Sequence, residues 1–225
     1  MKRRLCLMQQ HSGEHIVSGL IHNHFGYDNV GFHMGSDCIT IDFNGELCED
    51  DLIMIENEAN QAVYKNFLTD IFYPTPDELR NLKYRSKKVL DGDVRIVRFN
   101  GYDICACCGL HVVRTGEIGI IKLLSYQRYK GGTRIFMLAG EQAYRDYAEK
   151  NKLVLGISNL MSAKPYDVQN AVERLINERN SIKEKLVASK KELFKIKADK
   201  IEKGADRAIF FEEGLEPFEL RQLCE

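Results

Sequence analysis

The amino-acid sequence predicts an α+β fold, in which an antiparallel sheet packs against helices and a long coiled-coil-like helix follows. Three patterns indicate this arrangement: an apolar repeat of helical spacing near the start of the chain, a series of strands bounded by glycines, and a heptad-like repeat after Pro165. These patterns predict a compact domain over residues 1–150, a long helix over 165–204 and a short last segment over 205–225.

The compact domain begins with a helix. Apolar residues recur at helical spacing from Ile16 to Ile21, which predicts an amphipathic helix over 11–24 that ends near Gly26. Polar and apolar residues then alternate in GFHMGSDCITIDFNG, as expected of a strand, and a second helix is predicted over 50–67. Four further strands are predicted, the last two joined by a hairpin turn at Gly131 and Gly132: 93–99, 102–107, 118–127 and 133–139.

A seam of apolar residues after Pro165 predicts one long helix that Gly204 ends. Its members are separated by three, four or multiples of seven positions: Val168, Val172, Leu175, Ile182, Leu186, Leu193 and Ile196. At about 1.5 Å per residue, such a helix is about 60 Å long, which a small sheet domain cannot cover alone. We therefore expect a partner helix, which could belong to a second copy of the chain. Beyond it, AIFF predicts a short strand and EPFELRQLCE predicts another helix.

The composition is that of an ordinary globular protein, with 44% hydrophobic and 29% charged residues in a chain of 225. No apolar run is long enough to span a bilayer or to act as a signal peptide, so we expect no membrane association and a cytoplasmic location. The formal net charge of -1 argues against binding a polyanion through bulk charge, so any nucleic-acid contact must be local. Three of the seven cysteines, Cys105, Cys107 and Cys108, lie too close together for a disulfide framework, which favours reduced thiols or metal ligands.

Two short motifs have the spacing of metal ligands. His11 and His15 lie four positions apart on one face of the predicted helix, and Cys107 and His111 repeat that spacing across a glycine. Three imidazoles and one thiolate make a tetrahedral ligand set. The sequence therefore predicts that these four residues form a zinc site.

Alternatives remain open for these motifs. A histidine pair by itself is also typical of a capping or half-buried histidine beside a surface one. In an extended strand Cys105 faces the same side as Cys107, so it is a conceivable replacement ligand. Cys108 points away and is expected to pack as a small hydrophobe.

The same motifs resemble those of a known family. HSGEH and CCGLHVVRTGEIGIIKLLSYQRYKGGTRIFMLAGEQA are similar to the editing domain of alanyl-tRNA synthetases and of free-standing AlaX-type alanyl-tRNA editing proteins, the second additional domain of threonyl- and alanyl-tRNA synthetases. The family pattern of H-[S/T]-x-x-H, C-x-x-x-H, T-G-x-I-G and R-[I/V] is matched in order over roughly residues 5 to 145. Cys108 and Leu110 depart from it, because the family usually writes the second motif as CGGTH.

The resemblance implies that the four residues hold Zn²⁺ and that the chain hydrolyses mischarged aminoacyl-tRNA in trans, chiefly the seryl or glycyl ester of alanine tRNA. Its partner would then be tRNA. From the residues alone, the alternative is a non-catalytic RNA-binding or assembly module with a structural zinc, since a closed four-ligand site is usually structural. Leu110 raises a third possibility, an editing fold altered toward another aminoacyl ester. The segment 205–225 resembles the beginning of a DHHA1 domain without its glycine-rich motif, so we expect a fragment of a longer chain.

Further residues are candidates for contacts with the substrate. His33 falls where the family often carries Gln or His beside the pocket and could orient the water or the terminal ribose, although a surface histidine at a strand edge is the alternative. Ser12 and Thr115 could hydrogen-bond the hydroxyl of a seryl substrate, but backbone capping explains the serine equally well. The tRNA-binding candidates are basic residues outside the motifs: Lys83, Arg85, Lys87, Lys88, Arg128 and Lys130.

Overall fold

The structure of the protein is a computed structural model that describes residues 2–86, 93–200 and 214–224, together with Arg207, Ile209 and Phe211. The chain divides into two compact units, Met1–Lys150 and Asn151–Glu225. The first unit combines helices with two antiparallel sheets, and the second contains a long helix, so the predicted α+β class is confirmed.

The described residues of the first unit form seven strands, in chain order β1 Asn29–Met34, β2 Ile39–Phe43, β3 Asp70–Phe72, β4 Ile96–Phe99, β5 Asp103–Ala106, β6 Ile121–Tyr129 and β7 Gly132–Ala139. A four-stranded sheet has the order β1-β2-β7-β6, and a three-stranded sheet has the order β3-β4-β5. Every neighbouring pair of strands is antiparallel. The expectation of one sheet was therefore wrong in number, because β4 and β5 pair with the unpredicted strand β3 and not with β6 or β7.

Two hairpins of the four-stranded sheet differ from the prediction. GFHMGSDCITIDFNG is not one strand but the antiparallel pair β1 and β2, closed by a hydrogen bond from the Gly35 amide to the Cys38 carbonyl. The turn between β6 and β7 consists of Lys130 and Gly131, one position earlier than predicted. Both have positive φ, 48° and 80°, as a two-residue turn of this twist requires.

The first unit contains the helices α1 Lys2–Phe25, α2 Glu49–Lys65 and α3 Pro76–Asn81. The helix α4 Glu141–Leu160 includes residues of both units. Helix α1 ends where predicted, before Gly26, but it begins at Lys2 instead of near His11. It is not amphipathic along its centre, since every residue from Ser12 to Ile21 is buried. The reason is that α1 contacts both sheets and α2, so the polar residues of this stretch are buried along with the apolar ones.

Glycine allows the closest of these contacts. A Cβ atom on Gly19 would lie 2.4 Å from the carbonyl oxygen of Tyr102 and 2.5 Å from the Cβ of Asp103. Helix α1 therefore lies directly on the start of β5, which brings the histidine motif of the helix beside the segment that carries Cys107 and His111.

The second unit contains a short 3-10 turn Pro165–Asp167, α5 Val168–Asp199 and α6 Pro217–Cys224. The predicted long helix and last helix are thus confirmed, whereas the predicted end at Gly204 lies outside the described residues. In AIFF, Ile209 and Phe211 have no regular structure and the other two residues lie outside the described part. Lys190 forms an ion pair with Glu219 of α6 at 2.5 Å. Among the described residues, no helix is both long and apolar enough to cross a membrane.

The apolar seam of α5 stays largely exposed to solvent. Leu175, Ile182, Leu186, Leu193 and Ile196 are 48–66% exposed. Coiled-coil pairing of this helix therefore remains a prediction. Helix α4 was not predicted, because most of its residues are exposed and Gly156 interrupts its pattern, leaving no clear apolar stripe.

Candidate metal centre

Four side chains from two distant segments meet in the first unit. Helix α1 supplies His11 and His15, and the loop after β5 supplies Cys107 and His111. One potential ligand atom from each lies within 4.8 Å of those of the other three. His15 and His111 are buried, whereas His11 and Cys107 are half-buried, so the cluster reaches solvent on the side of His11 and Cys107. We call these four residues the His/Cys cluster.

Each histidine of the cluster has its Nδ1 atom directed at an acceptor in the protein. The Nδ1 of His15 lies 2.8 Å from Asp103 Oδ2, that of His11 lies 3.3 Å from the Leu110 carbonyl oxygen, and that of His111 lies 3.4 Å from Ser12 Oγ. A ring that donates from Nδ1 keeps its Nε2 lone pair for a ligand. These contacts therefore prepare three nitrogen ligands.

The His111 ring provides the test of whether a metal ion fits. Its Nε2 atom is buried and has no hydrogen-bond partner among the described residues. A buried polar atom without a partner is unfavourable unless something else binds it. The donor set of three imidazoles and one cysteine sulfur is the kind that zinc prefers. The residues present thus fit a metal ion.

Cys107 has the electrostatic environment of a thiolate. Its Sγ atom lies 3.6 Å from His11 Nε2 and accepts a hydrogen bond from the Gly109 amide at 3.4 Å. Burial alone would raise the pKa of Cys107, but the neighbouring imidazoles of His11, His111 and His15 outweigh it and lower the pKa to about 3. A thiolate is the form in which cysteine binds metals.

The two buried histidines of the cluster differ in their proton affinity. Burial would lower the pKa of His15, but its hydrogen bonds with Asp103 and Cys107 raise that pKa to about 10. Burial together with the neighbouring His15 and His11 lowers the pKa of His111 to about 4, against the opposing effect of Cys107. His111 is therefore neutral at pH 7, whereas His15 is protonated without a metal ion and must lose its Nε2 proton when it binds one.

Two further residues shape the loop that carries Cys107 and His111. The Nη1 atom of Arg95 donates to the carbonyl oxygens of Cys107 and Gly109, at 2.5 and 3.0 Å. A Cβ atom on Gly109 would lie 2.2 Å from Cε1 of His11. Sequence reasoning did not identify Arg95 as part of the site, and nothing in its local pattern could have done so.

The cysteines beside Cys107 take different positions. Cys105 is buried and its Sγ lies 3.6 Å from the Ala106 carbonyl oxygen, and together with His15 and Asp103 it forms a second, overlapping group of potential ligands. Cys108 is exposed, so the expectation that it packs as a small hydrophobe was wrong. The reason is that β5 ends at Ala106, and Cys108 lies in the loop beyond it, away from the core.

Ser12 and Thr115 are fully buried and serve the framework of the site. Ser12 Oγ accepts a hydrogen bond from the Val112 amide at 3.1 Å as well as facing His111. Thr115 Oγ1 donates to the Ala62 carbonyl oxygen at 2.7 Å and accepts from the Phe67 amide at 3.2 Å. Ser12 therefore orients a cluster residue, and Thr115 is occupied by backbone groups.

The structure does not bring His33 to the cluster. His33 is exposed on β1, an edge strand of the four-stranded sheet. Its neighbour Phe32 stacks on His11 with 5.9 Å between the ring centroids. Successive side chains of a strand point to opposite faces, so His33 faces away from His11.

Glu14 is a buried carboxylate within the HSGEH motif. Its Oε1 accepts hydrogen bonds from Ser18 Oγ at 2.8 Å and from Asn29 Nδ2 at 2.6 Å. It does not belong to either group of potential metal ligands. A glutamate in this position of an H-x-x-E-H sequence serves some metallopeptidases, but here the carboxylate is bound elsewhere.

The tRNA-binding candidates are placed unequally. Lys83 is exposed, and so are Arg128 and Lys130 at the β6–β7 hairpin, where Arg128 lies 3.6 Å from Glu46. The Arg85 side chain is only 12% exposed and forms an ion pair with Asp103. Lys87 and Lys88 lie outside the described residues.

Part of the cluster lies in a region that is similar to a known family. Residues 94–136, which include Cys107 and His111, match the family described as the threonyl and alanyl tRNA synthetase second additional domain. The chain is 26% identical over 214 residues to alanyl-tRNA editing protein Aarsd1-A of Xenopus laevis, which covers 93% of this chain and 52% of that protein. It is 25% identical over 195 residues to alanyl-tRNA editing protein AlaX-L of Pyrococcus horikoshii, covering 84% of this chain and 48% of that protein.

Synthetases are also among the relatives. The alanine–tRNA ligase of Methanobrevibacter smithii is 28% identical over 208 residues, covering 88% of this chain and 23% of that protein. Nothing in these comparisons supports the expected DHHA1-like character of 205–225. The chain spans about half the length of the curated editing proteins that it matches. Over most of its own length, then, the chain is similar to alanyl-tRNA editing proteins, and its residues 94–136 match the second additional domain family.

Proposed function

We propose that the chain is an aminoacyl-tRNA deacylase of the alanyl-tRNA editing type, which acts in trans on the seryl or glycyl ester of alanine tRNA with Zn²⁺ held by the His/Cys cluster. The observation that carries the proposal is the cluster itself, in which three oriented imidazoles and one cysteine converge. The similarity to alanyl-tRNA editing proteins supports the substrate class. Residues 1–150 are the proposed editing domain, and the cytoplasm is the proposed compartment because tRNA is charged there.

His11, His15, Cys107 and His111 would hold the zinc ion, which when bound polarises a carbonyl group or a water molecule. The rest of the task is modest, because an aminoacyl ester is already activated and correct positioning supplies much of the acceleration. The half-buried His11 and Cys107 leave the cluster accessible from one side. Beside it lie Phe32, stacked on His11, and Leu110, whose side chain is 51% exposed and whose carbonyl oxygen faces His11.

The two carboxylates nearest in sequence to cluster residues do not offer a free general base. Glu14 is held by Ser18 and Asn29, and Asp103 is held by His15 and Arg85. Because both carboxylates are hydrogen-bonded to other side chains, we infer that the chain's own groups at the site act by binding and orienting.

A non-catalytic module with a structural zinc is the second candidate. The observation in its favour is that four protein side chains could supply all the ligands of a tetrahedral site, as they do in structural zinc sites. The two candidates differ in one measurable property, the hydrolysis of an aminoacyl ester.

The test is deacylation of alanine tRNA charged with serine, glycine or alanine. We expect hydrolysis of the seryl or glycyl ester and little of the alanyl ester, with loss of activity after chelation and recovery on adding Zn²⁺. If the protein binds uncharged tRNA but hydrolyses none of the three esters, the structural module is favoured. Hydrolysis restricted to a different aminoacyl ester would favour the altered specificity that Leu110 suggests.

We propose that tRNA is bound locally through Lys83, Arg128 and Lys130, and through Lys87 and Lys88 outside the described residues. With a net charge of -1, the chain has no general attraction for tRNA. Lys83→Ala is expected to weaken tRNA binding and to lower the slope of log affinity against log salt by roughly 0.7 to 0.9, the value for one phosphate contact. Hydrolysis of a small aminoacyl ester without the tRNA body should not change. Equal losses on both substrates would show that Lys83 supports the pocket instead.

We propose that α5 pairs with α5 of a second copy of the chain through its exposed apolar seam. Replacing Leu186 in the middle of the seam by glutamate is expected to turn a dimer into a monomer in sedimentation, because it puts a charge among apolar side chains. Lys191→Glu, also exposed on α5 but off the seam, is the matched control and should leave the dimer intact. A wild-type chain that is monomeric at micromolar concentration and above would contradict self-pairing.

A further inference from the structure

A chain of hydrogen-bond contacts joins three largely buried side chains and ends at the His/Cys cluster. The Arg85 guanidinium donates to Asp103 through two atoms, Nε to Oδ1 at 2.7 Å and Nη2 to Oδ2 at 2.9 Å. Asp103 Oδ2 in turn accepts a hydrogen bond from Nδ1 of His15 at 2.8 Å. The side chains of Arg85, Asp103 and His15 are 12%, 1% and 4% exposed.

The backbone fixes both ends of this chain of contacts. The amide of Arg85 donates to the Ile104 carbonyl oxygen at 2.8 Å, and the Arg85 carbonyl oxygen accepts from the Ala106 amide at 2.9 Å. Arg85 thus forms a parallel bridge with β5 beside Asp103. At the other end, Gly19 lets α1 lie against Asp103, within reach of His15.

A bidentate arginine–carboxylate pair restrains the carboxylate in position and direction more than a single hydrogen bond does. Both oxygens of Asp103 are bound by Arg85, so the carboxylate cannot rotate without breaking a buried, charge-assisted hydrogen bond. His15 is therefore held with its Nδ1 toward Asp103. Its Nε2 is left for the cluster.

We propose that Arg85 is a positioning residue of the His/Cys cluster, which holds Asp103 so that His15 presents Nε2 to the bound metal ion and thereby sets the affinity for that ion. This inference rests on the metal site of the proposed function, but not on the ester hydrolysis. It replaces the prediction that Arg85 contacts tRNA. A guanidinium that is buried and bound to an aspartate through two nitrogen atoms has little left to offer a phosphate, in contrast to the exposed Lys83.

The test measures metal affinity directly, by competition for Zn²⁺ between the protein and a chromophoric chelator. Asp103→Asn keeps the shape of the side chain but loses its charge, and we expect about 10- to 100-fold weaker Zn²⁺ binding, the usual cost of losing such an outer partner of a ligand. Arg85→Met should weaken binding by about tenfold, at the lower end of that range. Arg85→Lys keeps the charge without the two-atom geometry, so its affinity should lie between those of Arg85→Met and the wild type.

Arg98→Met is the matched control. Arg98 lies in the same three-stranded sheet and pairs with Asp70 at 2.8 Å, but neither residue belongs to the chain of contacts to His15. Its Zn²⁺ affinity should stay within about twofold of wild type. The absorption spectrum of the Co²⁺-loaded protein gives a second readout, which should change in the Arg85 and Asp103 variants and not in the control.

The results separate this inference from the proposed function. A folded Arg85→Met or Arg85→Lys variant with wild-type Zn²⁺ affinity and Co²⁺ spectrum, but weaker tRNA binding, would make Arg85 an RNA contact and overturn the inference. If Arg85→Met does not fold, the same measurements on Arg85→Lys and Asp103→Asn decide the question. A wild-type chain that binds no Zn²⁺ would overturn both the metal site and the inference, whereas one that binds Zn²⁺ without deacylating any ester would overturn only the proposed hydrolysis.

Discussion

Replacing His11 and His15 together by alanine is expected to reduce bound zinc from about one ion per chain to none and to abolish deacylation. The loss of an outer partner of a ligand already costs about 10- to 100-fold in metal affinity, so the loss of two ligands should cost more than about 100-fold. Metal analysis and chelator competition measure the loss of zinc, and hydrolysis of the seryl ester of alanine tRNA measures the loss of deacylation. The ligand atoms of His11 and His15 lie within 4.8 Å of those of Cys107 and His111, which would be left as an incomplete pair.

The cysteines of the same segment offer a matched comparison. Cys107→Ala should behave like the double histidine variant, because it removes the thiolate of the cluster. Cys105→Ala should be much milder for zinc, since its Sγ makes a contact with the Ala106 carbonyl oxygen, and Cys108→Ala should change nothing because Cys108 is exposed. Full activity in a metal-free preparation would disprove the role of zinc, and a larger loss from Cys105→Ala than from Cys107→Ala would reassign the sulfur ligand.

Gly109→Ala is expected to weaken zinc binding by at least about tenfold, although it adds only one methyl group. That Cβ would lie 2.2 Å from Cε1 and 2.7 Å from Nδ1 of His11, closer than a Cβ atom approaches its neighbours, so either the imidazole or the loop must shift, and we expect the imidazole to be displaced. Displacement of a ligand should cost at least as much as the loss of an outer partner, about 10-fold. The measurement is again chelator competition for Zn²⁺.

Two controls isolate the contact between Gly109 and His11. Gly156→Ala makes the same change in α4, where a Cβ would meet nothing within 4 Å, and should leave zinc binding as it is. In a chain that already carries His11→Ala, Gly109→Ala should add no further loss, because the ring that it displaces is absent. Additive losses in the double variant would mean that Gly109 acts through the loop backbone and not through His11.

The sequence alone determined those features that depend on local spacing. Apolar periodicity predicted α2, β4–β7 and the long helix α5, and the observed elements match these predictions to within a few residues, apart from the predicted end of α5, which lies outside the described residues. The two motifs of four-residue spacing nominated His11, His15, Cys107 and His111, which the fold brings together. A helix holds residues four apart on one face whatever its surroundings, so the sequence alone places His11 beside His15. Cys107 and His111 lie in a loop, and there only the spacing of the motif pointed to them.

The tertiary structure alone decided the contacts of the other candidate site residues. Arg85 looked like a tRNA contact in a basic stretch, but pairing with β5 buries it against Asp103. Ser12 and Thr115 looked like substrate contacts, but the fold supplies backbone groups and an imidazole as their partners. Hydrogen bonds between residues far apart in sequence leave no periodic trace, because they depend on which elements pack together and not on spacing within one element.

The same limit explains the errors in the fold. A period of two reveals which strand residues face the core, but it does not say which strand is the neighbour, so two sheets were read as one. It also could not show that β1 turns His33 away from the cluster and Phe32 toward it. Helix α1 was expected to have a polar face, and only its contacts with both sheets and with α2 make the stretch from Ser12 to Ile21 buried on all sides.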